Sequence, residues 1–216
     1  MTNLRAIVFD FDGVVLESAD VKTHAFVELF AEHGKDVQAR VLEHHLANLG
    51  ISRFKKFAWV HENVLHRTLS DDESRALGDR FSSLALAKVL AAPFVPGADT
   101  ALRDLATRLP LFVASGTPQE ELDAIVDQRA LRSFFREVHG TPREKPAILG
   151  DILARYGLAP NELLFIGDGM SDYKAARATG VEFLARDTPG LATEWARLEV
   201  VRRPDLTDLL AVVSSW

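Results

Sequence analysis

Two carboxylates stand two residues apart where the first apolar run of the chain ends, in Asp10-Phe11-Asp12-Gly13. Residues i and i+2 of an extended chain project to the same side, so both side chains can face one site. Carboxylates that close repel each other unless a cation binds between them or one of them takes up a proton. Considered alone, the pair fits either a metal-assisted catalytic site or an acidic strand exit that caps the next helix.

A second pair of carboxylates, Asp168 and Asp172, follows another apolar run at residues 163–166. If a helix begins at Ser171 or Asp172, both carboxylates flank the same strand-to-helix turn. The alternative is an aspartate N-cap beside a turn glycine.

Ser115 and Gly116 follow a third apolar run at residues 109–114. The Ser115 hydroxyl and the amides after it could hold an oxyanion near a helix N-terminus. Thr117 and Glu120 fit a capping box that places a proline at the first helical position. Thr117 is therefore predicted to have a structural role.

Parallel strands could bring these residues together. Short apolar runs with β-branched residues predict buried strands, and the amphipathic stretches between them predict helices. The predicted strands cover residues 4–9, 109–114, 163–166 and 181–185, with a weaker candidate at 198–201, and the predicted helices include 99–108, 120–130 and 146–156. Strand alternating with helix predicts an α/β fold, a doubly wound, mostly parallel Rossmann-like sheet. In such sheets ligands bind beyond the carboxyl ends of the strands, which is where the aspartates stand.

Residues 16–94 interrupt this alternation, with helical periodicity and no convincing strand. Ser70 and Glu73 predict a capping box at the start of the last long helix of this segment. A stretch rich in proline then ends it. We therefore predict a helical domain at residues 16–94, inserted into a core of residues 1–15 and 95–216.

The order of the motifs carries a family resemblance. Lys145 precedes a proline, where a lone lysine is ordinarily solvated. Yet an Asp-x-Asp-Gly strand exit, a strand ending in Ser115, this Lys-Pro pair and a Gly-Asp-x-x-x-Asp strand exit occur in sequence. The chain resembles the haloacid dehalogenase-like hydrolase superfamily, whose four motifs fall in this order. The helical insert between the first two motifs resembles that superfamily's phosphoglycolate phosphatase-like and β-phosphoglucomutase-like branch.

The resemblance implies a role for each motif in phosphate-ester chemistry. It makes Asp10 the nucleophile that forms an aspartyl-phosphate, and Asp12 the general acid and base. Ser115 and Gly116 would bind phosphoryl oxygens, and Lys145 would neutralise charge beside Asp10. Cations and amide donors around the phosphoryl oxygens are what phosphoryl transfer requires.

The resemblance also implies a Mg²⁺ cofactor. Asp10, the backbone carbonyl of Asp12, and Asp168 would hold the ion, with Asp172 close by. Mg²⁺ prefers hard oxygen ligands and retained waters, and a cation offsets the repulsion between an attacking carboxylate and a phosphate.

The second aspartate, Asp12, favours phosphate-ester chemistry, because a leaving alkoxide needs a proton that Asp12 can give. Dehalogenases and phosphonate-cleaving relatives generally lack it. The implied function is a magnesium-dependent phosphatase that acts on a small phosphorylated metabolite. The nearest alternative is a sugar phosphomutase; mutase-like sequences often carry a histidine in the first cap helix, where this chain has Lys22, with His24 two residues on.

Two non-enzyme alternatives are a phospho-acceptor receiver-like signalling domain and a binding protein without activity. A receiver domain carries its acceptor aspartate after its third strand and has about half this length. The helical insert, the nucleophile after the first strand and the complete set of acids disfavour both.

The insert, which resembles a cap domain, is expected to set substrate choice. Gly50 lies in a predicted loop, and Arg53 and Lys56 begin the helix after it. These residues and Lys22 are candidate substrate contacts, with Arg53 or Lys56 gripping the leaving group. The alternative is that these cations form a solvated helix face.

Composition limits the partners and the location. The formal net charge is −6 and no window is rich in Lys and Arg, which disfavours a nucleic-acid partner. The absence of cysteine excludes a disulfide framework, a thiolate zinc site and a cysteine nucleophile. No apolar stretch approaches about 20 residues and the N-terminus lacks signal-peptide features, so we expect no membrane partner and a cytoplasmic location. The sequence carries no signature of an oligomeric state.

Overall fold

Six parallel strands form one sheet in the computed structural model, which describes residues 4–188 and 190–216. The strands are β1 (Ala6–Phe9), β2 (Leu111–Pro118), β3 (Glu137–Thr141), β4 (Leu163–Gly167), β5 (Glu182–Arg186) and β6 (Arg202–Arg203). Their order across the sheet is β3-β2-β1-β4-β5-β6, and every pairing is parallel. The predicted doubly wound, Rossmann-like α/β fold is confirmed.

Four α-helices follow β1 within residues 16–94: α1 (Ala19–Leu29), α2 (Lys35–Ala47), α3 (Arg53–Asn63) and α4 (Asp71–Ala91). The predicted capping box at the start of α4 is confirmed. The Ser70 hydroxyl accepts from the Glu73 N–H, and the Glu73 carboxylate accepts from the Ser70 N–H. Aromatic side chains of these helices join the hydrophobic cluster on one face of the sheet. The division into a separate domain at residues 16–94 stays a prediction.

Helices cover both faces of the sheet. One face packs against α5 (Ala98–Leu105), α6 (Gln119–Gln128) and α10 (Leu209–Ser215); the other packs against α7 (Lys145–Tyr156), α8 (Met170–Thr179) and α9 (Ala192–Arg197). None of the described helices is long and apolar enough to cross a membrane.

The central strand β1 has apolar side chains on both faces. Ile7 and Phe9 pack into one hydrophobic cluster and Ala6 and Val8 into the other, and all four are fully buried. A parallel strand covered by helices on both sides needs apolar residues throughout. The strand therefore anchors Asp10, which follows it, at the carboxyl edge of the sheet.

The two edge strands differ from the sequence prediction. The edge strand β3 is not predicted, because only Val138 and Gly140 of its five residues are buried and no apolar run marks it. The weak strand predicted at residues 198–201 is wrong, since the last strand is β6. Leu198 and Val200 instead pack against one hydrophobic cluster. Edge pairing uses backbone groups alone, so it leaves little trace in the side-chain pattern.

Candidate active site

Three buried carboxylates meet at the carboxyl edge of the sheet. Asp10, Asp168 and Asp172 each place one carboxylate oxygen so that all three oxygens lie within 4.8 Å of one another. The neighbouring strands β1 and β4 bring the first two together, with Phe9 in register with Ile166. As whole residues, the three aspartates are at most 2% exposed. The sequence-predicted residues of two strand exits therefore form one acidic cluster.

Gly13 makes the first strand exit possible. Its φ is +79°, a left-handed conformation that glycine adopts without strain. A Cβ at this position would lie 2.1 Å from the Asp168 Oδ2. The glycine thus lets the chain turn away while the Asp168 carboxylate occupies the space beside it.

Lys145 lies beside two of the acids. Its Nζ is 3.0 Å from the Asp10 Oδ2 and donates a hydrogen bond to the Asp172 Oδ1. The other oxygens of these two carboxylates accept backbone N–H groups from Phe11, at 2.7 Å, and Gly169, at 3.0 Å. Burial opposes the charge on Lys145, but the adjacent carboxylates raise its pKa above the usual value. The ammonium therefore stays charged within the cluster.

Asp10 and Asp168 are electrostatically strained in the absence of a further cation. Burial, with repulsion from Asp172 and Asp12, raises the pKa of Asp10 to about 7 against the opposing effect of Lys145. Burial and the Asp10 and Asp172 charges raise the pKa of Asp168 well above its usual value. Within the described part of the chain, the Asp168 carboxylate has no hydrogen-bond or ion-pair partner. A buried charge without a partner is costly, so this site favours a cation.

Asp12 lies in a different electrostatic environment. Its carboxylate forms an ion pair with Lys22 and accepts hydrogen bonds from Ser18 at 2.6 Å and Thr117 at 3.0 Å. Burial alone would raise the pKa of Asp12, but Lys22 and the two hydroxyls lower it below the usual value. The side chain is outside the acidic cluster, so a metal role for Asp12 depends on its backbone carbonyl. Asp10 and Asp12 are two residues apart, yet their different neighbours raise the pKa of the first and lower that of the second.

Thr117 contradicts its predicted structural role. The strand β2 extends through Pro118, α6 begins one residue later, and no side chain caps that helix. The Thr117 hydroxyl instead accepts from the Lys22 ammonium at 2.6 Å and donates to Asp12. Ser115, which is buried, accepts from the Thr117 N–H and donates to its hydroxyl. Successive residues of a strand alternate sides, so Ser115 and Thr117 lie on the same side. This alternation could have predicted the contact between them from the sequence.

The loop before α3 lies directly on the core of the site. Gly50 has φ +80°, and a Cβ there would lie 2.5 Å from the Ser171 Oγ and 2.9 Å from the Lys145 Nζ. The Ser171 hydroxyl donates to the Leu49 carbonyl at 2.7 Å. On the opposite side, a Cβ on Gly116 would lie 2.6 Å from the Gly50 carbonyl oxygen. Glycine is therefore required where the loop meets the turn that follows Ser115.

Arg53 and Lys56 are buried, so the solvated-face alternative is wrong; they are 5% and 3% exposed. Arg53 donates two hydrogen bonds to the Glu121 carboxylate of α6, at 2.6 and 2.9 Å. Lys56 contacts the Nδ1 of His45 at 3.1 Å. Both cations and Lys22 line the cavity that also contains Asp10, Asp12 and Asp168. Sequence reasoning missed Glu121 and His45, because neither stands in a recognisable motif.

Comparison with known proteins agrees with this geometry. A family model described as a haloacid dehalogenase-like hydrolase matches residues 4–180. A phosphoglycolate phosphatase of Synechococcus elongatus is 29% identical over 189 residues, which cover 82% of this chain and 81% of that protein. A phosphoglycolate phosphatase of Pseudomonas putida is 26% identical over 185 residues, which cover 82% of this chain and 67% of that protein.

Solved structures share the fold. A putative β-phosphoglucomutase from Bacteroides vulgatus has a TM-score of 0.80 at 19% identity, covering 98% of this chain and 89% of that one. A predicted phosphoglycolate phosphatase from Haemophilus somnus has a TM-score of 0.72 at 20% identity, covering 98% and 99%. The family match spans most of the chain and includes all the aspartates of the acidic cluster. The chain therefore belongs to the haloacid dehalogenase-like hydrolase family.

Proposed function

We propose that this protein is a magnesium-dependent phosphatase that hydrolyses a small phosphorylated metabolite through an aspartyl-phosphate on Asp10. The observation that carries the proposal is the juxtaposition of Asp10 with an unpartnered buried Asp168 and with Lys145. A carboxylate that attacks a phosphate dianion is repelled by it, so nearby cations are needed to offset the negative charge of both groups. The relatives named phosphoglycolate phosphatase make 2-phosphoglycolate the first substrate to test.

The residues of the acidic cluster fit Mg²⁺. Asp10, Asp168 and the backbone carbonyl of Asp12 would hold the ion, while Asp172 lies close by and is held by Lys145. All the donors are hard oxygens, which suit this ion. When bound, Mg²⁺ supplies positive charge that offsets the repulsion between the nucleophile and the phosphoryl oxygens.

Each half-reaction has a nucleophile and a proton carrier. In the first, Asp12 must take up a proton from solvent; an Asp10 carboxylate oxygen then forms a bond to phosphorus, the bond to the leaving oxygen breaks, and Asp12 donates that proton to it. In the second, a water oxygen attacks phosphorus, Asp12 accepts a proton from the water, and the bond between phosphorus and Asp10 breaks. Ser115, Gly116 and Lys145 would hold the phosphoryl oxygens in both steps.

We further propose that residues 16–94 act as a cap over the site. The Leu49–Gly50 loop rests on core residues, and Arg53 of α3 is paired with a core helix. A cap that excludes water protects the nucleophile and strengthens the electrostatic interactions inside the site. Leaving-group recognition would then come from side chains of the cap.

Metal removal tests this proposal. We expect phosphate release from an aryl phosphate and from 2-phosphoglycolate to require Mg²⁺ and to stop with excess EDTA. Asp168→Ala should weaken Mg²⁺ binding, because it removes one of the carboxylates available to the ion. The measurements are free phosphate and calorimetric titration with MgCl₂, and Asp79→Ala on the exposed face of α4 is the matched control. Hydrolysis that persists after EDTA treatment would contradict the assignment.

The raised pKa of Asp10 gives a pH prediction. Between its usual value of 3.8 and about 7, the native state holds a proton that the unfolded state has lost. In metal-free protein, the contribution of Asp10 to the free energy of unfolding therefore falls as the pH rises from its usual pKa to its raised pKa. We expect the gain in Tm on adding Mg²⁺ to be larger at about pH 8 than at about pH 5, because binding requires the ionised carboxylates.

Thermal unfolding with EDTA or with excess MgCl₂ measures this effect. Asp10→Asn is the reference, since it removes the titrating group and should reduce the dependence of the Mg²⁺ effect on pH. An Mg²⁺-induced change in Tm that is equal at both pH values in the wild type would refute the prediction.

A further inference from the structure

The cavity above Asp10 is lined by three cationic side chains, Lys22, Arg53 and Lys56. Their counter-ions differ. Lys22 forms an ion pair with Asp12, and Arg53 with Glu121. Within the described residues, Lys56 has no carboxylate within ion-pair distance. The three cations therefore leave a single positive charge for a ligand.

Glu121 neutralises Arg53 with complementary geometry. Two guanidinium N–H groups donate to its two carboxylate oxygens, and the Ser82 hydroxyl donates a further bond at 2.5 Å. Burial opposes ionisation of Glu121, but Arg53 and Ser82 lower its pKa below the usual value. The side chains of Glu121 and Arg53 are 10% and 6% exposed. Bidentate pairs of this kind are strong and fixed in direction, so Arg53 is withheld from other anions.

Lys56 is oriented by a neutral partner. The Thr23 hydroxyl donates to the Ala19 carbonyl at 2.9 Å, so it accepts from the His45 Nε2, 3.1 Å away. His45 thus carries its proton on Nε2 and accepts from Lys56 through Nδ1. Burial and the nearby Lys56 lower the pKa of His45 to about 3, so this ring stays neutral. His45 holds Lys56 in place without balancing its charge.

A buried ammonium without a counter-ion is unfavourable, and an anionic ligand removes that cost. Burial and the neighbouring Lys22 and Lys145 lower the pKa of Lys56 to about 7. A bound carboxylate would offset both the cost of burial and the repulsion from the two neighbouring lysines, and would so keep Lys56 charged. A second phosphate would not match the site, because its two negative charges exceed the one charge available.

We infer that Lys56 binds a single carboxylate on the leaving group, and that Glu121 excludes doubly charged groups by occupying Arg53. This inference rests on the proposed function, since it assigns the leaving group of the same site. Monophosphate esters of hydroxy acids, the class that includes 2-phosphoglycolate, carry such a carboxylate, and the inference assigns its recognition to Lys56. Bisphosphates are disfavoured, which distinguishes this site from one that must hold a phosphate at both ends.

Binding of non-hydrolysable probes tests the inference without turnover. With excess Mg²⁺, we expect the wild type to bind phosphonoacetate more tightly than propylphosphonate, which lacks the carboxylate. Lys56→Met should weaken phosphonoacetate binding by about 30-fold or more, because it removes a buried charge partner. It should leave propylphosphonate binding within about threefold. Lys88→Met, on the exposed surface of α4, is the control and should change neither.

Glu121→Gln should release Arg53 for a second anion. We expect this variant to bind ethane-1,2-bisphosphonate about tenfold more tightly than the wild type does. The near-isosteric change keeps the shape of the side chain, and an unchanged circular dichroism spectrum would establish that the variant folds. An affinity no higher than that of the wild type would overturn the role of Glu121.

Equal affinity of the wild type for phosphonoacetate and propylphosphonate would overturn the role of Lys56. So would an equal loss for both probes in Lys56→Met. Failure of the phosphatase assignment would appear separately, as the absence of phosphate release from an aryl phosphate. The two proposals can therefore fail independently.

Discussion

Replacing Asp10 with Asn is expected to lower kcat by about 10⁴-fold or more, because it replaces the proposed nucleophilic carboxylate with an amide. The fold should survive, since Lys145 keeps its hydrogen bond to Asp172 and the asparagine Oδ1 can still accept from the Phe11 N–H. One repelling charge is also lost from the cluster, so the Tm of the metal-free protein should be equal or higher at about pH 8. The measurements are steady-state phosphate release and thermal unfolding.

Asp79→Asn, an exposed change of the same chemical type, is the control for Asp10→Asn. It should retain the activity of the wild type. An Asp10→Asn protein that hydrolyses an aryl phosphate within tenfold of the wild-type rate would exclude Asp10 as the nucleophile.

Replacing Asp12 with Asn is expected to separate the two half-reactions. An aryl leaving group departs with little protonation, so formation of the phosphoenzyme can continue. Hydrolysis of that intermediate needs a base for the attacking water, and we propose Asp12 for this role; Lys22 and Thr117 lower its pKa and so keep it ionised. Loss of acid–base help costs about 10²–10⁴-fold. We therefore expect a burst of aryl alcohol, followed by slow turnover and accumulation of phospho-Asp10.

Rapid-quench mass spectrometry of the intact variant measures this intermediate as one added phosphoryl group. Alkyl phosphates, whose leaving groups need a proton, should lose activity in the first half-reaction and give no burst. The double variant Asp10→Asn with Asp12→Asn is the control and should take up no phosphoryl group. If no phosphoenzyme forms and aryl and alkyl substrates lose rate equally, Asp12 serves the metal or the fold.

The acidic cluster was predictable from the sequence because each of its residues belongs to a local pattern. An apolar run of this length predicts a buried strand. The aspartate that follows each run, Asp10 or Asp168, is then placed at the carboxyl end of that strand. Neighbouring parallel strands then place those ends side by side. The acidic cluster needs the strand exits, which the residue order predicts, and their adjacency, which the family resemblance implied and the pairing of β1 with β4 confirms.

Thr117 shows the limit of such local reasoning. The residues from Thr117 to Glu120 satisfy the capping-box pattern, yet β2 continues through Pro118 and Thr117 contacts Asp12 instead. Pairing between β2 and β3 extends to Pro118. The edge strand β3 has too few buried side chains to be predicted, so the end of β2 could not be placed.

The sequence alone determined the fold class and the acidic cluster, whereas the charge balance of the cavity above Asp10 was decided only by the tertiary structure. Arg53 and Lys56 are cations three residues apart on one helix, and nothing in their local sequence distinguishes them. Arg53 meets Glu121, 68 positions away, while Lys56 meets the neutral His45. A buried charge takes its properties from whichever groups packing brings within a few ångströms. The sequence specifies those groups only through the packing of whole helices.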